Sequence, residues 1–419
     1  MKTPHSTLRC RLFVTLAIPL ASPVLHAQDR PLTWELLEVW RAGGLDAPEW
    51  AQFTRRDELA FDGSGNLYVV DGAAVHIVKV GLDGQLVMTI GRAGQGPGEF
   101  RSPDGVMVWR DGSFAVNDGG RDALHLFHAD GSFERSVRWT VATGEVFVDL
   151  NWMRTMRPGP RPGIVYAQGL ANRHSRVIGS VAEMMGIESE DAADERTIEA
   201  LDLSGDVVTG EVLVEGWRPP RPGLTEIDPR DSESVLAAMT EAPQFEPTLR
   251  WDAVPGGPIA YADSSTYRIR IVRDGVTVNT LTRPIAPLPF TRRMESEMRD
   301  GARRAIEESE GDTPEYRRQL RELIDNMTFY PEIPVIARIR VAWDGSVWVE
   351  RADSEWDVER ETLLIDVFDP DGDYHGTLAA DGPGMPDAFG PDGLAAYWEF
   401  DEMDVPSIVV RRLPPALQW

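Results

Sequence analysis

AQFTRRDELAFDGSGNLYVVDGAAVHIVKVGLDG, residues 51–84, decides the fold, because the chain repeats its pattern in GEFRSPDGVMVWRDGSFAVNDGGRDALHLFHADG, residues 98–131. A shift of 47 positions superposes the two copies without a gap. It places Gly65 on Gly112 and the Asp-Gly dipeptide at 71–72 on the one at 118–119. A repeat of about 40–50 residues that contains only short strands is typical of a propeller array.

Each copy predicts four short antiparallel strands joined by tight turns. In the first copy these strands are the apolar runs at residues 59–61, 67–70, 75–80 and 86–90. The run at 67–70 is apolar on both faces, which indicates a strand covered on both sides. Asp83-Gly84 supplies the positive φ angles that a tight hairpin needs. Four such strands form one blade, which buries both faces only by stacking on neighbouring blades.

This pattern resembles the NHL repeat, a family of six-bladed β-propellers. The second copy carries the residues of the family pattern at Gly98, Phe100, Pro103, Gly105, Gly112 to Asp118 and Asp130-Gly131. The first copy departs from it, since Arg56 and Glu58 replace the Pro and the second Gly of the opening. The resemblance implies a propeller of the secreted bacterial type, and it indicates little about function because propellers host many unrelated activities.

Looser versions of the pattern predict four further blades. The third blade is expected from runs at residues 146–153, 163–168, 199–203 and 207–214, with an acidic insertion at 181–197. The fourth opens at Phe245 and Pro247 and continues at 258–263, 267–272 and 276–281. The fifth opens at Pro334 and contains strands at 336–343, 346–349 and 363–368. The sixth opens at Phe389, aligns residues 391–394 (Pro-Asp-Gly-Leu) with 103–106, and has its third strand at 408–413.

Residues 33–42 predict the missing fourth strand of the sixth blade. Trp40-Arg41-Ala42-Gly43 matches Gly91-Arg92-Ala93-Gly94, which follows the last strand of the first copy. An N-terminal strand that completes the last blade removes an exposed sheet edge. We therefore expect residues 28–419 to form a single propeller domain closed by the strand at 33–42.

Residues 291–328 predict an α-helical hairpin inserted between blades. Met294, Met298 and Ile306 recur at helical spacing, and so do Leu320 and Ile324. The expected fold is therefore all-β, a six-bladed β-propeller of four-stranded antiparallel blades with an inserted α-helical hairpin. Two roles stay open for the hairpin: a lid or docking surface at the channel mouth, or an insertion packed on the rim. A further short helix is predicted near residues 232–240.

Residues 1–27 have the three parts of a secretory signal peptide. Lys2, Arg9 and Arg11 provide the basic region, residues 12–20 an apolar region too short to span a bilayer, and Ala27 a cleavage site. The only cysteine, Cys10, lies inside this segment. We expect cleavage, export to the periplasm or the extracellular space, and a mature chain with no thiol and no transmembrane segment. The alternative is an uncleaved anchor.

The net charge limits the possible partners. It is −26 for the whole sequence and −29 after residues 1–27 are removed, because three basic residues and no acidic residue are lost. Nucleic acid and anionic membrane surfaces are poor partners for such a chain. The acidity provides solubility or attracts a cation-rich partner. We expect a monomer whose partner is a peptide, a glycan or an envelope protein.

Several motifs suggest chemistry that the rest of the sequence does not support. GRAGQGPGEF at residues 91–100 looks like a phosphate loop, but no Gly-Lys-Ser/Thr and no helix follow it. Asp71, Asp118 and Asp263 end second strands, where an aspartate binds a metal or accepts backbone N–H bonds; we favour the second role. His125 and His128 point to opposite faces of one strand. No Ser-His-Asp set is apparent, and we expect no metal and no cofactor.

The candidate binding residues lie in the crossings that lead into the innermost strands. They are Arg55, Arg56, Arg101 and Asp104. Such crossings rim the mouth of a propeller's central channel, so we predict ligand or partner binding there; the alternative is surface charge that fixes the crossings. No catalytic residue is assigned. The leading hypothesis is a secreted binding propeller.

Two other functions remain open. An enzyme of the lyase or metal-dependent lactonase type is implied by related six-bladed folds, which need carboxylate, Asn and His ligands on the axis, and Asp149 and Asn151 are available for this. A structural component of an envelope assembly is the third hypothesis.

Overall fold

The computed structural model describes residues 29–139, 155–169, 196–217, 219, 243–308, 314–352, 364–379 and 381–419. Four predictions therefore lie outside the described residues. They concern the signal peptide at 1–27, the acidic insertion up to residue 195, the short helix near 232–240, and the metal-ligand candidates Asp149 and Asn151.

The described chain forms six four-stranded antiparallel blades. Two strands precede blade 1 in the sequence: the first adds to the edge of blade 5, and the second is the fourth strand of blade 6. The first two strands are β1 (Pro31–Leu32) and β2 (Leu37–Gly43). Blade 1 contains β3 (Leu59–Phe61), β4 (Leu67–Asp71), β5 (His76–Val80) and β6 (Leu86–Ile90). Blade 2 contains β7 (Pro103–Val108), β8 (Phe114–Asp118), β9 (Ala123–Phe127) and β10 (Phe133–Arg138). Blade 3 contains β11 (Met156–Pro158), β12 (Ile164–Gln168), β13 (Arg196–Asp202) and β14 (Thr209–Gly216).

The second half of the ring follows the same order. Blade 4 contains β15 (Arg250–Ala253), β16 (Ile259–Ala262), β17 (Arg268–Arg273) and β18 (Val276–Thr282). A helical hairpin follows: β19 (Leu288–Pro289), α1 (Arg292–Glu308), α2 (Pro314–Asn326) and β20 (Glu332–Ile333). Blade 5 contains β21 (Ile336–Val341), β22 (Val347–Arg351), β23 (Ile365–Phe368) and β24 (Tyr374–Leu378). Blade 6 contains β25 (Ala388–Phe389), β26 (Leu394–Phe400) and β27 (Pro406–Arg412), and β2 completes it. The predicted fold class, including the helical hairpin, is confirmed.

The repeat of 47 residues corresponds to a real structural period. Strands β4 and β5 superpose on β8 and β9 residue for residue under this shift. Every residue of β8 and β9 is buried, and the rings of Phe114 and Phe127 stack 4.9 Å apart in the core that blades 1 and 2 share. The continuous apolar runs of the sequence therefore reflect blades that are covered on both sides.

The N-terminal strand lies on the outer edge of blade 6. Strand β2 pairs antiparallel with β27, with Trp40 opposite Val410, while β1 pairs in parallel with β24 of blade 5. Trp40 and Ala42 are buried in the core that joins blades 6 and 1. Leu37, in contrast, is 67% exposed. The first residues of the propeller are thus tied to two blades from its C-terminal part.

The first strands of blades 3 and 6 differ from the sequence predictions. In blade 3 the described first strand is β11, a three-residue strand that ends at Pro158 and has no long apolar run, and the run predicted at residues 146–153 lies outside the described residues. In blade 6 the first strand is β25, and residues 391–393 form a 3₁₀ turn in which Asp392 and Gly393 have φ angles of 53° and 70°. The alignment of this turn with residues 103–106 is therefore wrong, because those residues lie in the extended strand β7.

The helical hairpin is fixed to the ring at its base. The rings of Phe245 and Phe290 lie 5.3 Å apart, and those of Phe290 and Phe329 stack at 4.7 Å. Phe245 belongs to the crossing that enters blade 4, so the hairpin rests on the face of the ring where crossings enter the first strands. Ile306 and Ile324 are its buried helical residues within the described part. Neither this hairpin nor any other described helix has the length and apolar character needed to cross a membrane.

Candidate functional site

A cavity of about 400 Å³ lies between the first strands of the blades. Its walls include residues from β3, β7, β11, β15, β21 and β25, one strand from each blade. A cavity lined by the innermost strands of all six blades lies on the axis of the ring. It is therefore the central channel of the propeller.

Charged residues are unevenly distributed along this channel. The charged residues of the lining precede or begin the first strands, or lie within them: Arg56, Asp57, Glu58, Asp104, Arg157, Asp252, Arg340 and Asp387. The apolar residues Val254 and Trp343 follow the ends of the first strands β15 and β21. Because these strands all run away from the entry crossings, the residues that precede or begin them place much of the charge at the mouth, whereas Asp252 and Arg340 lie deeper in the channel.

Arg110 spans the far end. Its Nε donates to the carbonyl of Pro255 at 2.6 Å, and a terminal nitrogen donates to the carbonyl of Trp343 at 3.1 Å. The guanidinium also lies 4.5 Å from the centre of the Trp343 ring, within the range of a cation–π contact. Burial lowers the pKa of Arg110. This side chain therefore links blades 2, 4 and 5 across the axis.

A chain of four charged side chains crosses the channel, from Glu58 just before β3 to Arg340 near the end of β21. We call Glu58, Arg157, Asp252 and Arg340 the axial chain. Arg157 donates from Nε to Asp252 Oδ1 and from a terminal nitrogen to Glu58 Oε1 at 3.2 Å. Arg340 lies 3.5 Å from Asp252 Oδ1. Since these residues come from blades 1, 3, 4 and 5, the ion pairs connect strands that are far apart in sequence.

The carboxylates of the axial chain also bind backbone N–H groups. Asp252 Oδ2 accepts the N–H of Val341 at 2.9 Å, and Glu58 Oε2 accepts the N–H of Val106 at 3.1 Å. Each carboxylate thus has one oxygen on a guanidinium and the other on the backbone. Such charge-assisted hydrogen bonds hold the side chains in one geometry.

Opposite pKa shifts occur within the axial chain. Burial raises the pKa of Glu58, and Arg157 and the Val106 N–H offset this increase only in part. The Glu58 side chain is 32% exposed, and the residue belongs to the lining of the channel. Burial lowers the pKa of Arg340, and Asp252 offsets it only in part. For Arg157, burial is outweighed by Asp252 and Glu58, so its pKa is raised. The pKa shifts of Glu58 and Arg340 thus favour the neutral forms of these groups, whereas the shift of Arg157 favours its charged form.

The four sequence-predicted site residues divide into two pairs. Arg56 and Asp104 line the channel. Arg56 forms an ion pair with Asp387, and Asp104 accepts a hydrogen bond from the side chain of Asn117 at 2.6 Å. Both lie at the mouth, as the position of the crossings suggested.

Arg55 and Arg101 are not among the described residues that line the channel. Arg55 donates from Nε to Asp57 at 2.9 Å. Arg101 donates from its backbone N–H to Asp118 at 2.8 Å, and its guanidinium contacts the carbonyl of Gly120 at 3.4 Å. Both residues thus contact groups of the crossings, and a binding role for them stays a prediction.

Sequence reasoning missed six charged residues of the channel. They are Asp57, Glu58, Arg157, Asp252, Arg340 and Asp387. Arg157 and Asp387 were missed because the sequence predictions placed the first strands of blades 3 and 6 elsewhere. Asp252 and Arg340 lie in first strands that also contain apolar residues, but a charged residue in such a strand does not by itself indicate the axis, since Arg338 of β21 does not line the cavity.

The aspartates that end the second strands have structural roles. Asp118 is fully buried and accepts the backbone N–H groups of Arg101, Ser102 and Gly120. Asp263 accepts the N–H of Trp217 at 2.8 Å. The preference for backbone binding over metal binding agrees with these contacts. No cluster of metal-ligating side chains occurs in the part of the chain that the structure describes.

An aligned Asp–His–Ser set does occur in blade 2, although the sequence did not reveal it. His125 Nδ1 lies 2.8 Å from Ser136 Oγ, and its Nε2 lies 3.5 Å from Asp118. His125 is 1% exposed, and these residues are absent from the described lining of the channel. Because the three residues lie on the adjacent strands β8, β9 and β10, we interpret the set as a structural link between these strands of blade 2.

The fold and the channel define a six-bladed β-propeller with a charged axial cavity. No protein-family model matches the sequence, and no curated protein does. Similar solved structures include a member of the DUF4221 family from Bacteroides vulgatus, with 11% identity, a TM-score of 0.49, and coverage of 91% of this chain and 98% of that one. A gluconolactonase from Xanthomonas campestris has 12% identity, a TM-score of 0.37 and 87% coverage of both chains. A streptogramin B lyase has 12% identity, a TM-score of 0.34, and coverage of 85% and 78%. These similarities concern the fold and carry no argument about activity.

Proposed function

We propose that this protein is a binding propeller that holds a small polar ligand in the mouth of its axial channel. The observation that supports the proposal is the cavity of about 400 Å³ lined by charged side chains from all six blades. This volume lies at the lower end of the range of about 300–1,000 Å³ for small-molecule sites. A ligand held there contacts several blades at once, because the charged residues come from different first strands.

A ligand screen on the mature chain tests this proposal. Sugars, amino acids, short peptides, organic acids and metal salts are added singly, and the melting temperature is measured, since a ligand that binds the folded state raises it. Asp104→Trp places a bulky ring at the mouth and serves as the channel variant. Asp46→Trp, on the exposed surface after β2, is the matched control. The proposal requires a compound that stabilises wild type and the control but not the channel variant; it fails if no class of compound does so.

A second candidate function is acid–base catalysis in the same channel. Glu58 favours it, because a carboxylic acid with a raised pKa inside a cavity, next to an arginine, is a candidate proton donor. This candidate covers the lyase and hydrolase types that the sequence left open. Each compound that binds is tested for turnover with wild type and Glu58→Gln. Turnover that survives the substitution removes Glu58 from the reaction, and no turnover of any bound compound leaves binding as the function.

We also infer that the protein is exported and that its blades are of the NHL-like type. The charged and apolar pattern of residues 1–27 supports export, as does the absence of cysteine from residues 28–419. Intact-mass measurement on protein from its native cell envelope tests this, with a chain that begins near Gln28 as the expected result. A species that retains Met1 contradicts it. Co-purified envelope proteins in the same preparation are the expected result of the envelope-assembly hypothesis.

A further inference from the structure

The three arginines that line the axial channel differ in how fully they are paired. Arg56 pairs with Asp387, and Arg157 pairs with both Asp252 and Glu58. Arg340 has a longer contact of 3.5 Å to Asp252. Its Nε is buried and lacks a hydrogen-bond partner among the described residues. Arg340 is therefore the least satisfied of the three guanidinium groups.

The carboxylate nearest to Arg340 is already engaged. Asp252 accepts from Arg157 at one oxygen and from the Val341 N–H at the other. It therefore cannot give Arg340 the two parallel hydrogen bonds that a guanidinium forms with a free carboxylate. The Arg340 side chain is 20% exposed, and Arg340 belongs to the lining of the cavity. Because Nε is buried, the terminal nitrogens of Arg340 are the donors that face a group entering from the channel.

The other charges of the channel define what this group is. Glu58, Asp252 and Asp387 balance Arg56, Arg157 and Arg340 in formal charge, and each of these carboxylates already contacts a guanidinium. A cationic ligand competes with those guanidinium groups. A multiply charged anion meets the remaining carboxylates Asp57 and Asp104, together with a net charge of −26 on the chain. A single carboxylate matches the one under-paired guanidinium.

We propose that Arg340 anchors the carboxylate of a small, singly charged organic acid in the axial channel, with the rest of the acid directed along the channel toward Val254 and Trp343. This proposal rests on the proposed function, since it requires that a ligand enters the channel. It adds the charge of the ligand and the residue that recognises it.

Matched acids and amides test the proposal. Benzoate, cyclohexanecarboxylate and L-lactate are compared with benzamide, cyclohexanecarboxamide and L-lactamide by titration calorimetry. The variants are wild type, Arg340→Gln and Arg338→Gln. Arg338 is the matched control because it lies on the same strand, pairs with Glu350 at 2.9 Å and is absent from the described lining of the cavity.

Wild type and Arg338→Gln should bind at least one acid more tightly than its amide. Arg340→Gln should weaken that acid by about tenfold to a hundredfold, as expected for the loss of a hydrogen-bonded charge, and leave the amide unchanged. If Arg340→Gln does not fold, Arg340→Lys replaces it. That variant keeps the charge without the planar fork, so a reduced preference for the acid supports the proposal and an unreduced one overturns it.

Three results overturn the proposal. Wild type binds acids and amides equally, or Arg340→Gln keeps the preference for the acid, or neither series binds. If neither series binds but a sugar or amine binds wild type and is blocked by Asp104→Trp, this inference fails and the proposed function stands. If no compound of any class binds, both fail.

Discussion

The carboxylate of Asp29 lies 2.8 Å from the guanidinium of Arg283, which follows it by 254 residues. Asp29 also contacts Arg351 at 2.9 Å, and Arg283 contacts the fully buried Asp366 at 2.7 Å. Arg283 lies in the crossing that leaves blade 4, and Arg351 and Asp366 belong to blade 5. The first described residue of the chain is therefore clamped at the junction of two blades before β2 reaches blade 6.

Replacing Asp29 by Asn should lower the free energy of unfolding by about 0.5–1 kcal/mol, a value kept small because Asp29 is 38% exposed. Burial raises the pKa of Asp29, but the hydrogen bonds and charges of Arg351 and Arg283 outweigh it, so the pKa lies below its ordinary value of 3.8. The pair should therefore contribute stability above pH 3.8 and lose it as the pH falls through the lowered pKa. Denaturant unfolding at several pH values measures this. The exposed Asp46→Asn is the control, and equal effects of the two substitutions would contradict the clamp.

Closure of the ring should depend on the buried side of β2. Trp40→Ala removes a ring that is 8% exposed and should cost about 3–5 kcal/mol, the usual range for a buried Trp or Phe. Leu37→Ala, on the same strand but 67% exposed, should change stability by less than about 0.5 kcal/mol. Urea unfolding of both variants is the measurement. Similar losses in the two variants would mean that β2 does not close the ring through its buried face.

The blades that the sequence predicted well are those whose strands are long and apolar. Strands β4 and β8 consist of five residues each, are almost wholly buried and occupy equivalent positions in the repeat. The first strands of blades 3 and 4 are harder to locate, because β11 and β15 have three and four residues and carry Arg157 and Asp252. A short strand with a charged residue lacks the periodic signal on which sequence reasoning depends.

The residues of the axial chain were harder to identify from the sequence than Arg56 and Asp104 at the mouth of the channel. Arg56 and Asp104 were identified because crossings rim the channel of any propeller. Arg157 and Asp252, in contrast, form an ion pair across 95 residues, and nothing in their local sequence indicates that they meet. Such contacts arise only when the ring closes, so the pairing belongs to the tertiary structure.

Removal of the helical hairpin should leave the channel functional. None of its described residues belongs to the lining of the cavity, and the stacked rings of Phe290 and Phe329 at its base remain if residues 292–327 are replaced by a Gly/Ser linker. We expect the ring to melt at a similar temperature and any compound from the ligand screen to bind within about threefold of wild type. A larger change in affinity, with the ring still folded, would instead support the lid hypothesis.

Two glutamates with equal exposure should give the stability of this protein opposite pH dependences. The side chains of Glu58 and Glu399 are each 32% exposed. Burial raises the pKa of Glu58, and its partners offset this only in part. Glu399 is also affected by burial, but Arg411 and Arg41 outweigh it and lower its pKa. The difference arises because Glu399 pairs with two arginines, whereas Glu58 shares Arg157 with Asp252.

The signs follow from which state of the chain holds the proton more tightly. The folded state binds the Glu58 proton more tightly than the unfolded chain, so wild type should be most favoured over Glu58→Gln below the ordinary pKa of 4.5 and lose that advantage as the pH rises through the raised pKa. The folded state holds the Glu399 proton less tightly, so wild type should be most favoured over Glu399→Gln above pH 4.5 and lose that advantage as the pH falls. Urea unfolding of the three proteins from pH 3.5 to pH 8 measures both differences, and the other titrating groups cancel in each comparison. Two slopes of the same sign would show that the channel does not destabilise the charged form of Glu58, which would remove the physical basis for proposing Glu58 as a proton donor.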